Sequence, residues 1–380
     1  MPLVLTEEQE LLRQSARDLV AKSAPLKRLR ALRDSSDAVG FSRELWSEMA
    51  QLGWTGIIFP EQFGGAGLGY GDLAVVMEEL GRGLMPEPMG SCVTLAGSAI
   101  LLAGSDAQKA ALLPPLIEGK LLLTLAHHES TGRFDVCHVV TRAERSGSGW
   151  KLSGSKTLVP DGQVADRLIV TARTSGDVSD RRGISLFIVN AKAPGVSIAR
   201  QATLDCRNAA VVTLDKVAVS DSDLLGEVDE GAAVLAAVID RATVGLCAEM
   251  LGSMSAAFEM TLDYLKTRTQ FGVLIGTFQA LKHRAARMYV ETELARSAVM
   301  AAAQAVDAAS PDVPKLVSLA KARCSDAFVL IGNEGVQMHG GIGMTDEHDI
   351  GFFLKRARVA QLTFGDAAYH RSRWAELSGY

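Results

Sequence analysis

The stretch Arg268-Thr-Gln270-Phe271-Gly272, followed at once by Ile275-Gly-Thr-Phe278-Gln279 and then His283, interrupts two long runs of helical period. It sets a guanidinium, amides and two aromatic rings at a break between helices, where the free N–H groups of a helix start also meet an anion. Such a set suits a pyrophosphate and a stacked heterocycle. A glycine turn with a phenylalanine packed into a bundle accounts for Phe271 and Gly272, but not for the whole string. Further on, Gln337-Met-His-Gly340-Gly341-Ile-Gly343 breaks a second helical pattern with an amide and with backbone that no side chain shields.

Around these breaks apolar residues keep the 3.6-residue period through 232–267, 278–308, 315–338 and 349–377, so a C-terminal four-helix bundle is expected over 226–380. Between 121 and 225 the pattern changes to short β-branched runs separated by Gly, Asp and Asn, among them Arg167-Leu-Ile-Val-Thr and Ile184-Ser-Leu-Phe-Ile-Val. These predict a middle antiparallel β domain. Residues 1–120 read as an all-α domain: Thr6 and Gln9 form a capping box, Leu12, Ala16, Leu19 and Val20 share a face, and further helices are expected over 41–52 and 72–80.

The charge balance, 39 basic against 44 acidic side chains in 380 residues, offers no footprint for a polyanion, so nucleic acid is not an expected partner. The opening MPLVLTEEQE lacks a basic region followed by an apolar core. No uninterrupted apolar run approaches the ~18 residues of a membrane span, and a cytoplasmic protein is expected. Cys92, Cys137, Cys206, Cys247 and Cys324 are scattered without a C-x-x-C pair, which argues against a disulfide framework or a zinc site. Gly69-Tyr-Gly71-Asp-Leu-Ala74 fits a dinucleotide fingerprint literally, but helical pattern flanks it on both sides. It is expected to be a structural turn before a helix.

With R-x-Q-F-G-x-x-I-x-x-F-Q and Q-x-x-G-G-x-G in this order and spacing, the sequence resembles the acyl-CoA dehydrogenase family. The resemblance extends over essentially the whole chain, including Pro60-Glu61-Gln62-Phe63-Gly64-Gly65 and Leu152-Ser-Gly154-Ser-Lys156. It implies FAD as cofactor, and dimers or dimers of dimers with each flavin held between two subunits. By resemblance, Arg268, Phe271 and Gln279 hold the pyrophosphate and adenine side of the neighbouring subunit's FAD, Gln337, Gly340 and Gly341 approach the same cofactor, and Gln270 and Phe278 accompany them.

The implied chemistry is α,β-desaturation of an acyl-CoA: a carboxylate removes the α-proton while the β-hydrogen leaves as hydride to the flavin. Electron-transfer flavoprotein is the implied acceptor. Most relatives place a Glu before the last helix, where this chain has Phe364 in Leu362-Thr-Phe364-Gly365-Asp366-Ala-Ala-Tyr369-His370-Arg371. A smaller group places it on the first long C-terminal helix, just before an Arg, and the matching pair here is Asp240-Arg241. Asp240 is therefore the favoured base, about one methylene (~1.5 Å) shorter in reach than Glu, with Arg241 beside substrate or flavin. Asp366 is the rival. In the plainer reading Asp240 pairs with an Arg and Asp366 caps the last helix.

In the β domain the family's T-E-P-x-x-G-S-D becomes His128-Glu129-Ser130-Thr-Gly132-Arg133-Phe134-Asp135, and its W-I-T/S becomes Leu158-Val159-Pro160. Pro160 cannot donate a hydrogen bond. Groups serving a neighbour's FAD are thus kept while those serving the chain's own flavin are altered. The strings around Met344 and Phe364 resemble a bacterial branch of sterol and unusual acyl-CoA dehydrogenase subunits, some of which form heterotetramers. A homo-oligomer or a heterotetramer with a related subunit is expected. The alternatives to a self-sufficient dehydrogenase are a weakly catalytic subunit completing a partner's FAD site, and a flavin oxidase or monooxygenase on the same fold.

Overall fold

The computed structural model describes residues 4–380. Helices α1 (Glu7–Ser23), α2 (Leu26–Asp34), α3 (Arg43–Gln51), α4 (Tyr70–Arg82), α5 (Ser98–Ala103) and α6 (Asp106–Ile117) come first. Strands β1 (Leu123–Ala126), β2 (Arg142–Ser146), β3 (Gly149–Pro160), β4 (Arg167–Arg173), β5 (Ile184–Asn190), β6 (Val196–Arg200), β7 (Ala209–Ser220) and β8 (Leu224–Leu225) follow. The chain ends with α7 (Gly231–Thr267), the hairpin β9 (Thr269–Gln270) and β10 (Val273–Leu274), then α8 (Gln279–Asp307), α9 (Val313–His339), α10 (Ile350–Leu362) and α11 (Ala367–Leu377). Contacts divide it into two compact units: residues up to Ser35 with Gly69–Met85 and Thr243–Tyr380, and Ser36–Leu68 with Pro86–Ala242.

In the second unit the strands run β6-β7-β3-β2-β4-β5-β8, with β1 beside β4. Pairing is antiparallel as expected, except that β1 and β2 each run parallel to β4. Leu152 of β3, Val170 of β4, Phe187 of β5 and Val212 of β7 are buried in one core, supplied by the short β-branched runs expected to form strands. Trp150 closes this core edge-on to Phe187, centroids 5.6 Å apart.

In the helical unit α1 begins with the expected Thr6–Gln9 capping box. The helix expected over 349–377 is two helices. Phe364 (φ 59°) and Gly365 (φ 116°) leave the helical region, and the Asp366 carboxylate accepts the Tyr369 N–H at 2.8 Å to start α11. The apolar period survives such a break, which is why periodicity alone runs through it. α7 is long and apolar enough to cross a membrane by length and composition, although 67 % of its apolar 18-residue stretch is buried within the protein. Asp240 and Arg241 lie inside this helix, so counting uninterrupted runs overlooks it.

The Gly69-Tyr-Gly71 turn is structural, as expected. Gly69 precedes α4, and the Asp307 carboxylate accepts the N–H groups of Tyr70 and Gly71 at that helix start.

Candidate functional site

Beyond Thr267 the chain doubles back, pairing Thr269 with Leu274 and Gln270 with Val273. Both turn residues are left-handed, Phe271 at φ 54° and Gly272 at 76°, as a two-residue hairpin turn requires. A phenylalanine there is uncommon. Its ring stands 89 % exposed, edge-on to Phe278 with centroids 6.2 Å apart. Arg268, Gln270 and Gln279 are exposed too, and the Arg268 guanidinium has no ion-pair partner among the described residues.

Ring contacts bring the second glycine segment to the same end of the helices. Tyr264, in the last turn of α7, lies 4.5 Å from His339 at the end of α9, and His348 lies 4.3 Å from that imidazole. The His339 Nδ1 sits 2.6 Å from Gly335 O, which turns its ring into the helix end. After it Gly340 adopts φ 64°, and a Cβ at Gly340 or Gly341 would meet nothing within 4 Å. Gln337 is exposed on the preceding turn. One region thus combines a guanidinium, three exposed amides, two rings and bare backbone, a donor set that fits a pyrophosphate with a stacked base.

The end of β3, in the other unit, is closed on itself. Thr157 N–H donates to His128 O at 2.9 Å and Leu158 N–H to Gln201 Oε1 at 3.0 Å, while Pro160 has no N–H and its carbonyl accepts Thr124 Oγ1 at 2.7 Å. Glu129 anchors the adjoining segment by accepting Val140 N–H at 2.6 Å, Thr141 N–H at 3.0 Å and Lys156 Nζ at 2.6 Å. Burial opposes ionisation of Glu129, yet the Lys156 ammonium and these donors hold its carboxyl below the usual value. Burial pushes His127 down to about 3 and lowers His128 as well.

Of the two candidate bases, Asp240 is 4 % exposed on α7 and belongs to the unit that holds the sheet. Arg241 is half-buried, its Nη1 donating to Ala237 O at 3.1 Å. Asp366 belongs to the helical unit, with the Arg268 to Gly341 set, and is the cap of α11.

Three family domains match in sequence order: the acyl-CoA dehydrogenase N-terminal domain over residues 6–120, the middle domain over 124–217 and the C-terminal domain over 229–378. The chain belongs to the acyl-CoA dehydrogenase family. It is accordingly an FAD-dependent oxidoreductase acting on CH–CH bonds. It is 31 % identical over 371 residues to the 3-(aryl)acrylate reductase of Clostridium sporogenes, covering 96 % of each chain. The mitochondrial isovaleryl-CoA dehydrogenase of Pongo abelii is 32 % identical over 97 % of this chain and 88 % of its own. Among solved structures, a variant of the Tcur3481-Tcur3483 steroid ACAD superposes with a TM-score of 0.88 at 34 % identity, with 98 % of each chain covered.

For an acyl-CoA dehydrogenase, the donors around Arg268 and Gly341 fit the pyrophosphate and adenine end of FAD, whereas the β3 end has its own donors engaged internally. Two side chains that hold backbone in place were not read from the sequence, Gln201 on the β3 end and the buried Lys321 of α9 at the 361–366 turn. Both bond to backbone groups distant in sequence, Lys321 to Gln361 O and Gly365 O, and no motif spacing announces that.

Proposed function

We propose that this chain oxidises the Cα–Cβ bond of an acyl-CoA thioester, with Asp240 taking the α-proton and Arg241 beside substrate or flavin. When bound, FAD accepts the β-hydrogen as hydride. Arg268, Gln270, Phe271, Phe278, Gln279, Gln337, Gly340 and Gly341 would hold the cofactor's pyrophosphate and adenine end, in an oligomer reoxidised by an electron-transfer flavoprotein in the cytoplasm. By resemblance to the family, the turn at 361–366, where most relatives keep their base and this chain has Phe364, would lie beside the acyl chain.

One observation carries the choice of base. Asp366 lies on the turn that opens α11 and serves as its cap, whereas Asp240 is held within a continuous helix, where reach is better fixed than on a loop. Anaerobic addition of acyl-CoA thioesters to the FAD-loaded protein tests it. Asp240→Ala is expected to keep FAD and abolish bleaching of the flavin absorbance, while Asp366→Ala keeps bleaching. The reverse pattern would sink the assignment.

The closed β3 end supports a second reading, in which the chain completes the FAD site of a related subunit in a heterotetramer. A chain that is colourless alone and gains flavin only with a second gene product would favour it. Rapid oxygen consumption during turnover would favour an oxidase instead.

A further inference from the structure

We propose that Lys321 is a positioning residue: it holds the 361–366 turn, and through it the Phe364 ring, in the one arrangement that sets which acyl chains are accepted. This rests on the reading above that the turn borders the acyl group. Lys321 lies in α9 with 0 % exposure. Its Nζ donates to Gln361 O at 3.1 Å, Gly365 O at 2.7 Å and Ser325 Oγ at 3.1 Å. All three ammonium donors therefore go to neutral acceptors, and two of those are the carbonyls at the two ends of the turn.

A buried ammonium with no carboxylate among its hydrogen-bond acceptors is an expensive way to fill a helix interface, and an apolar side chain of similar volume would fill it at lower cost. What the ammonium adds is the hold on two particular carbonyls. The middle of the turn is gripped as well, since His370 Nε2 lies 3.0 Å from Phe364 O. The Gly365 backbone packs closely on α11, where a Cβ would lie 2.4 Å from Tyr369 Cδ1 and 2.8 Å from His370 Nε2. Phe364 itself sits at φ 59°, a conformation a phenylalanine keeps only when its surroundings impose it.

The test uses the FAD-loaded full chain, with any partner that copurifies, and the thioethers S-butyl-CoA and S-octyl-CoA, which bind without being oxidised. Amide hydrogen exchange at 362–366 and the ratio of the two Kd values are measured in Lys321→Met, Phe364→Ala and the double variant. Lys321→Met is expected to speed exchange at least tenfold in that turn, to keep its FAD, and to shift the ratio at least fivefold. Phe364→Ala is expected to shift the ratio on its own, and the double variant no further, because Lys321 acts through Phe364. Should Lys321→Met fail to fold, Gly365→Ala displaces the turn with the ammonium in place and is expected to give the same shift. Unchanged exchange, additive shifts, or a Phe364→Ala protein with the wild-type ratio would each overturn the proposal. A wild-type chain that binds neither thioether would overturn it together with the placement of the turn, whereas bleaching retained by Asp240→Ala would overturn the choice of base alone.

Discussion

The Asp307 carboxylate accepts the Gly71 N–H at 2.9 Å, and Tyr70 N–H donates to the same group at 2.5 Å. The chain's own carboxylate thus fills the anion position that a dinucleotide phosphate would take at a helix start. A Cβ on Gly69 would come within 2.6 Å of that carboxylate, so the glycine is needed for this contact. Asp307→Ala is expected to lower unfolding free energy by about 1–2 kcal/mol, the usual loss for a helix cap, with FAD content unchanged. Urea titration and the flavin spectrum read both. Loss of FAD at unchanged stability would return the motif to cofactor binding.

α4 and α7 touch backbone to backbone. A Cβ on Gly252 would lie 1.7 Å from Glu78 O, and one on Gly81 2.1 Å from Glu249 O, so the two glycines are reciprocal and side chains at either would force the helices apart. Gly252→Ala is expected to cost about 3 kcal/mol, at the upper end of overpacking, seen as a lower urea midpoint at unchanged slope. A variant of wild-type stability would contradict this contact.

Burial pushes both His370 and His127 down to about 3. Between pH 6.5 and 3 the unfolded chain takes up protons at these positions that the folded chain refuses, so the unfolded state binds more protons and stability rises with pH across that window. Each histidine contributes up to about 1.4 kcal/mol per pH unit there. Stability measured from pH 7 to 4.5 is expected to fall on acidification, and less steeply in His370→Gln. Equal slopes in the two proteins would show that His370 stays accessible to protons.

Lys156 and Glu129 form a buried pair, 0 % and 5 % exposed, with the Lys156 Nζ also donating to Thr171 Oγ1 at 2.9 Å. Removing one partner strands a charge in the core, so Lys156→Met is expected to cost about 3–5 kcal/mol. Lys156→Met combined with Glu129→Gln should recover part of that loss, because no unpaired charge remains. Thermal unfolding of the three proteins checks the order, and a double variant weaker than Lys156→Met would contradict it.

The helix, β, helix order was legible because periodicity reports burial, and the break at 268–279 because packing of one phenylalanine on a glycine turn does not account for the whole string of Arg268, Gln270, Phe271, Phe278 and Gln279. The break between α10 and α11 was less so. Gly365 is an ordinary sign of a turn, but the first left-handed residue is Phe364, a type that normally avoids that region. The parallel pairing of β1 with β4 was invisible, since Leu123–Ala126 is buried at every position and a fully buried short strand carries no alternation that reports its direction. That Asp366 caps a helix was readable from its position before Ala367, whereas the hold of Lys321 on two carbonyls depends on α9 and the 361–366 turn meeting in space.

Arg268 has no role in the fold that would explain its charge. It is exposed, follows the last residue of α7 and contributes only backbone to the hairpin, accepting Ile275 N–H at 2.9 Å. Truncating it to Ala should therefore leave the apoprotein as stable as wild type. If the guanidinium meets the pyrophosphate, its charge-assisted hydrogen bonds are worth roughly a 10- to 100-fold change in FAD affinity, and the loss should shrink as salt is raised. FAD titration of apoprotein at two ionic strengths measures this directly. A variant that binds FAD as wild type does would leave Phe271, Phe278 and the bare backbone at Gly340 and Gly341 to hold the cofactor, and would make stacking rather than charge the basis of binding at this end.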